Sequence, residues 1–593
     1  MYMSWFDWSI VAAFFALSLA IGLSVTRKAG QNSTEYFGAG KTMPWWLLGI
    51  SMVATTFSAD TPNLVTDIVR THGVGGNWLW WSYLLTGMLT VFVYARLWQR
   101  AGVLTDVEFY ELRYSGRSAA FLRGFRAVYL GFFFNVLIMA SVSLAAIKIG
   151  RILLGLSPWQ TLLIAGAVTA FYSSLGGLRS VLLTDAFQFV FAMAGSFGAA
   201  YYALQHEAIG GLSGLLAHEV VQTKLDLIPT DRATLITAFM IPLAVQWWST
   251  WYPGSEPGGG GFIAQRMLAA KDERNAIGAA FFFNAAHYAL RPWPWIIVAL
   301  CSLVVYPDID AIKQAFPAAA DIVKEDAAYS AMLTFLPAGL IGVVVTSLIA
   351  AYMSTISTLL NWGSSYIIHD FYQRFVKPDC TEKQAVSAGR ITTVLLMVFA
   401  GVLALFLENA LDSFQIMLQI GAGTGLLFIL RWFWWRINAM SEIAAMFISF
   451  AVAIYFRLVH EGLGFPVFDD STILVISVAI TTAGWLLVTL ITRPTDHEKL
   501  ATFYRRVHPG GPGWRAVLQR AEAQGSPIVV EQNWYVPLAM LCMLLGCVAI
   551  YSTLFATGYW IYGRTLPAMF LSVIAVGSTV ILVRSWSRLV QFD

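Results

Sequence analysis

Long apolar runs, separated by short polar segments, recur along the chain from residue 5 to residue 584. A helix that crosses the hydrocarbon core of a bilayer needs about 20 mostly apolar residues, and about fifteen such runs are present. The pattern predicts an all-α polytopic membrane protein whose spans are joined by loops. The predicted spans are 5–25, 43–70, 77–98, 125–154, 159–176, 180–204, 232–254, 275–305, 328–367, 387–407 and 413–435, with four more toward the C-terminus.

Composition supports a membrane protein. Hydrophobic residues make up 58% of the chain and charged residues only 12%, about half the charged share of a soluble domain. The four cysteines lack the paired spacing of a disulfide framework or a zinc site. The first run carries Asp7 but no basic flank or cleavage motif, which favours a retained helix over a signal peptide. No feature indicates a nucleic-acid partner or an obligatory protein partner.

The distribution of basic residues predicts the orientation. With the N-terminus outside, about 27 of the 37 Lys and Arg residues fall in cytoplasmic loops, as the positive-inside rule requires. We therefore expect a multi-pass protein of the inner (plasma) membrane. The largest polar insert, at about 494–532, is predicted to be a cytoplasmic loop.

Two apolar runs are interrupted five spans apart. The first contains the small and polar residues 54–63, and the second ends in the Trp-, Pro- and Gly-rich segment 247–258. Backbone groups freed at membrane depth are tolerated only against protein or a watery cavity. Broken helices at corresponding positions of two halves indicate an inverted-repeat transporter that binds its cargo at the breaks. The alternative is a pair of loops beside ordinary spans.

Hydroxyl groups are dense in the predicted span 328–367. Ser354, Ser357, Thr358 and Asn361 recur at the spacing of one helix face. Side-chain hydroxyls and unwound carbonyls supply the neutral oxygens that a hard monovalent cation prefers. Alternatively, these hydroxyls bond to their own helix or allow close helix packing.

Polar and charged side chains also fall within the span 275–305. Asn284, His287 and Arg291 are spaced to share one helix face, and an intramembrane arginine is a functional candidate because its burial is costly. Asp60, beside the first break, is the expected partner. Arg291 then either pairs with Asp60, extends outward, or binds an anionic or hydroxyl-rich solute. The predicted apolar walls of such a site are Trp80, Trp81, Trp247 and Trp248.

Five segments match, in order and at compatible spacing, the signatures of one known family. The most specific segment runs from 336–340 through 351–355 to Asn361 and 370–372. Together the five resemble the sodium:solute symporter family over about residues 5–455. The other four segments are 35–46, 172–188, 265–271 and 414–434.

This resemblance implies a leucine-transporter-like fold with two inverted five-helix repeats. Residues 1–42 are expected to form a lead helix and loop. Residues 43–435 are expected to form the ten-helix transport core, with repeats at about 43–204 and 232–435. Residues 436–593 are expected to form accessory helices. The implied function is secondary active transport, in which a sodium gradient drives uptake of a small polar solute, a sugar or an organic anion, by alternating access.

The resemblance also implies a principal sodium site. By position, its ligands are the carbonyl oxygens of Ala54, Phe57 and Ala351 and the hydroxyls of Ser354 and Thr355. Each of these positions offers a suitable oxygen.

A second, inner sodium site occurs in some members of that family. Asp185, Ser354, Ser357 and Thr358 match its pattern, so one or two sodium ions per cycle are possible. The alternative for Asp185 is a helix cap after the Gly176–Gly177 turn.

The substrate positions depart from the sugar-carrying pattern. Thr61 replaces a glutamine, Phe262 replaces a tyrosine, and His287 and Arg291 stand near an expected lysine. The solute is therefore left open. A solute sensor without net transport is the main alternative function, whereas an enzyme is disfavoured because no clustered nucleophile, base or metal-ligand set is present.

Overall fold

The computed structural model describes residues 3–249, 257–407, 420–421, 423–529 and 534–590. These residues form helices and loops without a β-strand. Among them, 11 helices are long and apolar enough to cross a membrane. The expected all-α polytopic fold is confirmed, but the expected count of about fifteen spans is not.

We number the principal helices along the chain. The first ten are α1 (Trp5–Ala29), α2 (Trp45–Thr56), α3 (Asp60–His72), α4 (Val74–Ala101), α5 (Gly116–Leu154), α6 (Pro158–Leu204), α7 (Arg232–Ala244), α8 (Gly261–Ala269), α9 (Glu273–Val305) and α10 (Leu340–Val376). The others are α11 (Glu382–Ala404), α12 (Gly425–Leu430), α13 (Ala439–Val459), α14 (Asp470–Ile491), α15 (His497–Val507), α16 (Arg515–Ala523), α17 (Val536–Ile561) and α18 (Thr565–Val590).

Several predicted boundaries change. The run 43–70 forms two helices, α2 and α3, because helical geometry ends at Phe57 (ψ 71°). The run predicted to start at 328 forms short helical turns up to 335, and α10 begins only at Leu340. The second predicted break falls between the turn 246–248 and α8, but residues 250–256 lie outside the described residues. The same holds for 408–419, which include the start of the span predicted at 413.

Helix α6 bends at Gly177. Gly177 has φ 55°, and an added Cβ would lie 2.4 Å from the carbonyl oxygen of Tyr36. Glycine accommodates both the left-handed conformation and the close approach. The bend joins the two predicted spans 159–176 and 180–204 into one kinked helix.

The lead helix α1 is anchored to the N-terminus of α10 through Asp7. One carboxylate oxygen of Asp7 accepts the backbone N–H groups of Gly339 (2.6 Å) and Gly342 (2.9 Å). The other oxygen accepts the backbone N–H of Ser4 (2.7 Å). The N-terminal amides of a helix lack partners within the helix, so Asp7 caps α1 and α10 together.

The C-terminal helix α17 is hydrogen-bonded to helices α4 and α9. The Tyr551 hydroxyl donates to the Trp81 carbonyl on α4 (2.7 Å). From α9, Trp293 Nε1 donates to the Leu554 carbonyl (3.1 Å). Helix α17 is therefore fixed against α4 and α9 at this face.

Candidate functional site

A cavity opens at the break between α2 and α3. It is bounded by these two helices and by α4, α5, α8, α9 and α10. Six of the predicted substrate residues line it: Asp60, Thr61, Trp80, Phe262, His287 and Arg291. Residues far apart in the sequence therefore converge at the first broken helix.

Arg291 is buried and bonded to the C-terminal end of α2. Its Nη1 lies 3.2 Å from the Val53 carbonyl oxygen and 3.1 Å from Thr56 Oγ1. Its Nη2 lies 3.1 Å from His287 Nε2. A guanidinium only donates, so His287 Nε2 accepts and the imidazole proton lies on Nδ1. His287 Nδ1 then donates to Thr56 Oγ1 at 3.0 Å.

Asp60 and Arg291 face the same cavity without pairing. Among the described residues no ion pair joins them, although both line the cavity wall. The fixed Asp60–Arg291 pair weighed from the sequence is therefore not formed. The reason is that Arg291 is held by the carbonyl and hydroxyl groups that end α2. The cavity therefore presents a carboxylate and a guanidinium that are not paired with each other.

Three of the four tryptophans predicted as cavity walls do not line the cavity. Trp81 packs against Trp78 and Phe555 on the other side of α4, with ring centroids 6.0 and 5.9 Å away. Trp247 and Trp248 follow the end of α7, where Trp248 packs against accessory helix α14. Only Trp80 lines the cavity. Adjacent aromatic residues point to different sides of a helix, which composition alone does not resolve.

Helix α10 approaches the break in α2 through Thr355. Its Oγ1 lies 2.7 Å from the Thr55 carbonyl oxygen and 3.1 Å from the Ala351 carbonyl oxygen. Ala54 and Phe57, the other predicted carbonyl ligands, flank Thr55 in the same turn. The structure therefore brings the Thr355 hydroxyl of α10 to the freed end of α2.

Asp185 lies at the centre of a buried polar cluster. Its carboxylate accepts a hydrogen bond from Ser354 Oγ (2.7 Å) and another from Ser51 Oγ. Arg266 Nη2 lies 3.9 Å from Asp185 Oδ2 and donates to Thr358 Oγ1 at 2.6 Å. Asp185 lies within α6, well past the bend, and does not cap that helix. The cap expected as its alternative role is therefore wrong.

The remaining predicted hydroxyl behaves differently. Ser357 Oγ donates to the Ser354 carbonyl oxygen in its own helix at 3.1 Å. Thr358 Oγ1 also lies 2.9 Å from Thr55 Oγ1 on α2. Thr358 therefore connects the Asp185 cluster to the broken helix, whereas Ser357 makes a bond within α10.

Four polar residues of the site were not predicted from the sequence. Ser51, Thr55 and Thr56 place hydroxyls or carbonyls of α2 against Asp185, α10 and Arg291. Arg266 matched a motif but was not assigned to a site. The i and i+4 spacing of Ser51 and Thr55, on a face toward α10, was the available signal.

Comparison with known proteins identifies the class as sodium-coupled solute transporters. The family model "Sodium:solute symporter family" matches residues 36–449, which is more than half of the chain. The chain therefore belongs to the sodium:solute symporter family, whose members are transporters and not enzymes, and carries out sodium-coupled solute symport.

Two relatives of the chain are named as sodium cotransporters. The chain is 26% identical over 484 residues to a sodium/glucose cotransporter of Vibrio parahaemolyticus, covering 78% of this chain and 87% of that protein. It is 26% identical over 464 residues to sodium/myo-inositol cotransporter 2 of Oryctolagus cuniculus, covering 73% and 67%.

A solved structure establishes the fold. A Na+-coupled sialic acid symporter in a substrate-bound outward-open state aligns with a TM-score of 0.67 at 18% identity, covering 83% of this chain and 99% of that one. The leucine-transporter-like fold implied by the sequence is thereby confirmed. The exact repeat boundaries remain predictions.

Proposed function

We propose that the cavity at the α2–α3 break binds a small, uncharged, polyhydroxylated solute such as a sugar or polyol. The observation that carries this proposal is that Asp60 and Arg291 line one cavity without pairing. A polyol presents hydroxyl donors to the carboxylate and hydroxyl acceptors to the guanidinium. An organic anion would meet the Asp60 carboxylate as well as the Arg291 guanidinium, so a neutral solute suits both groups better.

Two further observations support this substrate class. Trp80 and Phe262 line the cavity beside the polar groups, and aromatic walls with a few polar groups are usual for small-molecule sites. The names of the two cotransporter relatives refer to glucose and myo-inositol, which are both polyhydroxylated.

The proposed principal sodium site joins α2 and α10. Its ligands are the carbonyl oxygens of Ala54, Phe57 and Ala351 and the hydroxyls of Thr355 and Ser354. The contact of Thr355 with the end of α2 supports the assignment. The Ser354 hydroxyl donates its proton to Asp185, which leaves its oxygen lone pairs for this ion.

The proposed second sodium site is centred on Asp185 with Ser354 and Thr358. The guanidinium of Arg266 lies close to Asp185 and donates a hydrogen bond to Thr358. A sodium ion that binds there breaks the hydrogen bond from Arg266 to Thr358. The arginine side chain therefore competes with sodium for these oxygens. Ser357 donates its proton within α10, and its oxygen lone pairs are available to an ion at this site.

We further propose uptake across the plasma membrane with the N-terminus outside. The excess of basic residues in the loops assigned to the cytoplasm supports this orientation. Sodium and solute then enter together from the outer side and leave past Phe262, at the start of α8.

Asp60→Asn is expected to lower solute affinity about tenfold, because hydrogen bonds to a charged acceptor are worth about 1.5–3 kcal/mol. The melting temperature should change little, since Asp60 forms no ion pair with Arg291. Binding of labelled glucose and myo-inositol to purified protein measures the effect. Asp67→Asn, on the same helix but not on the cavity wall, is the matched control. Unchanged affinity in Asp60→Asn would remove Asp60 from the solute site.

Uptake into proteoliposomes tests the substrate class. Hexoses, polyols, sugar acids and amino acids are compared under an inward sodium gradient and under potassium. Accumulation of a hexose or polyol only with sodium supports the proposal, whereas selective uptake of a sugar acid contradicts it. Exchange of internal for labelled external solute also separates a transporter from a sensor, because a sensor exchanges nothing.

A further inference from the structure

A polar pocket and an apolar groove share helices α5 and α13. The pocket is lined by the start of α5, the start of α13 and the segment after α14, including Ser115, Ser118 and Arg493. The groove lies further along the same two helices. We propose that they form one binding site for an anionic phospholipid, with its phosphate in the pocket and an acyl chain in the groove.

The pocket is suited to a phosphate group. The guanidinium of Arg493 makes no ion pair or hydrogen bond with a described residue. The Ser115 side chain does not cap α5, because its hydroxyl instead accepts the backbone N–H of Asp496 at 3.3 Å. The first amides of α5 are therefore available to an anion. No acidic side chain lines the pocket in the part of the chain that the structure describes.

Neighbouring contacts keep the pocket in shape. Arg436 donates to the carbonyl oxygens of Leu490 (3.0 Å) and Thr492 (2.7 Å). Asn438 Nδ2 donates to Thr492 Oγ1 at 3.0 Å. The start of α13 is thus tied to the end of α14, which places Arg493 over the start of α5.

The groove is suited to an acyl chain. Its lining consists only of large apolar or aromatic residues: Phe125, Tyr129, Phe133, Met446, Phe447 and Phe450. Phe125 stacks on Tyr129 and on Phe447, with ring centroids 5.4 and 5.9 Å apart, and so joins the two helices at the floor. Phe133 and Phe447 are each 52% exposed, so the groove is open to surrounding hydrocarbon.

The order of the two parts matches a phospholipid. From Ser118 to Phe125 is seven residues, or about 10 Å at 1.5 Å per helical residue. The polar pocket lies at the helix ends and the groove runs inward from it, as a headgroup and chain do. Free phosphate fits only the pocket and leaves the groove unexplained. With the proposed orientation the phosphate would lie in the cytoplasmic leaflet, but the site does not depend on that orientation.

Lipid retention measured by native mass spectrometry tests the site. Purified full-length protein is loaded with an equimolar mixture of phosphatidylglycerol and phosphatidylcholine that carry identical chains. One phosphatidylglycerol should be retained in preference to phosphatidylcholine. Arg493→Gln should lower this preference about fivefold, the effect of one basic residue at an anionic surface. Arg520→Gln, an exposed arginine elsewhere in the same loop, should have no effect.

A second variant tests the groove. Phe447→Ala should lower retention of both lipids, because the chain loses one wall. Three results would overturn the proposal: equal retention of the two lipids by the wild type, an unchanged preference in Arg493→Gln, or displacement of the lipid by millimolar inorganic phosphate, which would show that the pocket binds a free anion without the groove.

Discussion

Thr355→Ala is expected to weaken sodium activation of solute uptake about tenfold or more. Its hydroxyl lies at the contact between α10 and the broken end of α2. An interaction of this oxygen with a charged partner contributes about 1.5–3 kcal/mol, and a protein-lined site does not recover it from water. The sodium concentration that gives half-maximal uptake measures the change.

A matched hydroxyl in the same helix provides the control. Ser365 is buried in α10, and its Oγ donates only to the Trp362 carbonyl oxygen at 2.7 Å. Ser365→Ala should retain the wild-type sodium dependence. If Thr355→Ala is expressed, folded and activated by sodium like the wild type, the principal sodium site does not include this residue.

Asp185→Asn is expected to reduce the sodium Hill coefficient from about two to about one, because the coefficient is limited by the number of coupled sites. The carboxylate supplies the only formal negative charge in the cluster with Ser51, Ser354 and Thr358. Uptake measured over a range of sodium concentrations gives the coefficient. A wild-type coefficient of one would leave Asp185 outside any second sodium site.

Asp185→Asn also removes a buried charge, and the resulting loss of stability must be separated from the effect on sodium binding. Removing one partner of a buried ion pair costs about 3–5 kcal/mol, so Asp185→Asn also lowers stability through Arg266. The pair Arg123–Asp370, at 2.7 Å, offers a control toward the C-terminal end of α10. Asp370→Asn should lower the melting temperature while it leaves the Hill coefficient unchanged.

The sequence predicted the broken helix because composition changes abruptly there. Small and polar residues at 54–63 interrupt an apolar run, and the structure ends α2 at Thr56 and begins α3 at Asp60. The family resemblance placed Thr355 and Asp185 in separate sodium sites. The structure places Thr355 against the end of α2 and Asp185 beside Ser354, and both sodium sites are proposals.

Side-chain direction was the part that the sequence did not predict. Asp60 and Arg291 have opposite charges at one depth, which favoured a pair; hydrogen bonds from Arg291 to the end of α2 prevent it. Likewise, Trp80 and Trp81 are adjacent, yet only Trp80 lines the cavity. Such choices depend on neighbouring helices that are distant in the sequence, and no periodicity within one helix records them.

We propose that sodium at the α2–α10 contact is coupled to solute in the adjoining cavity. Thr55 and Thr355 line the cavity and also meet at that contact, so binding of the two should be mutually favourable. Thermodynamic linkage requires that solute raise the affinity for sodium by the same factor by which sodium raises the affinity for solute. The most direct test is equilibrium binding of labelled glucose or myo-inositol to purified protein in sodium and in potassium at equal ionic strength. Sodium should raise solute affinity in the wild type, and Thr355→Ala should lose most of this rise. Equal affinity of the wild type in sodium and in potassium would show that the two sites are not coupled.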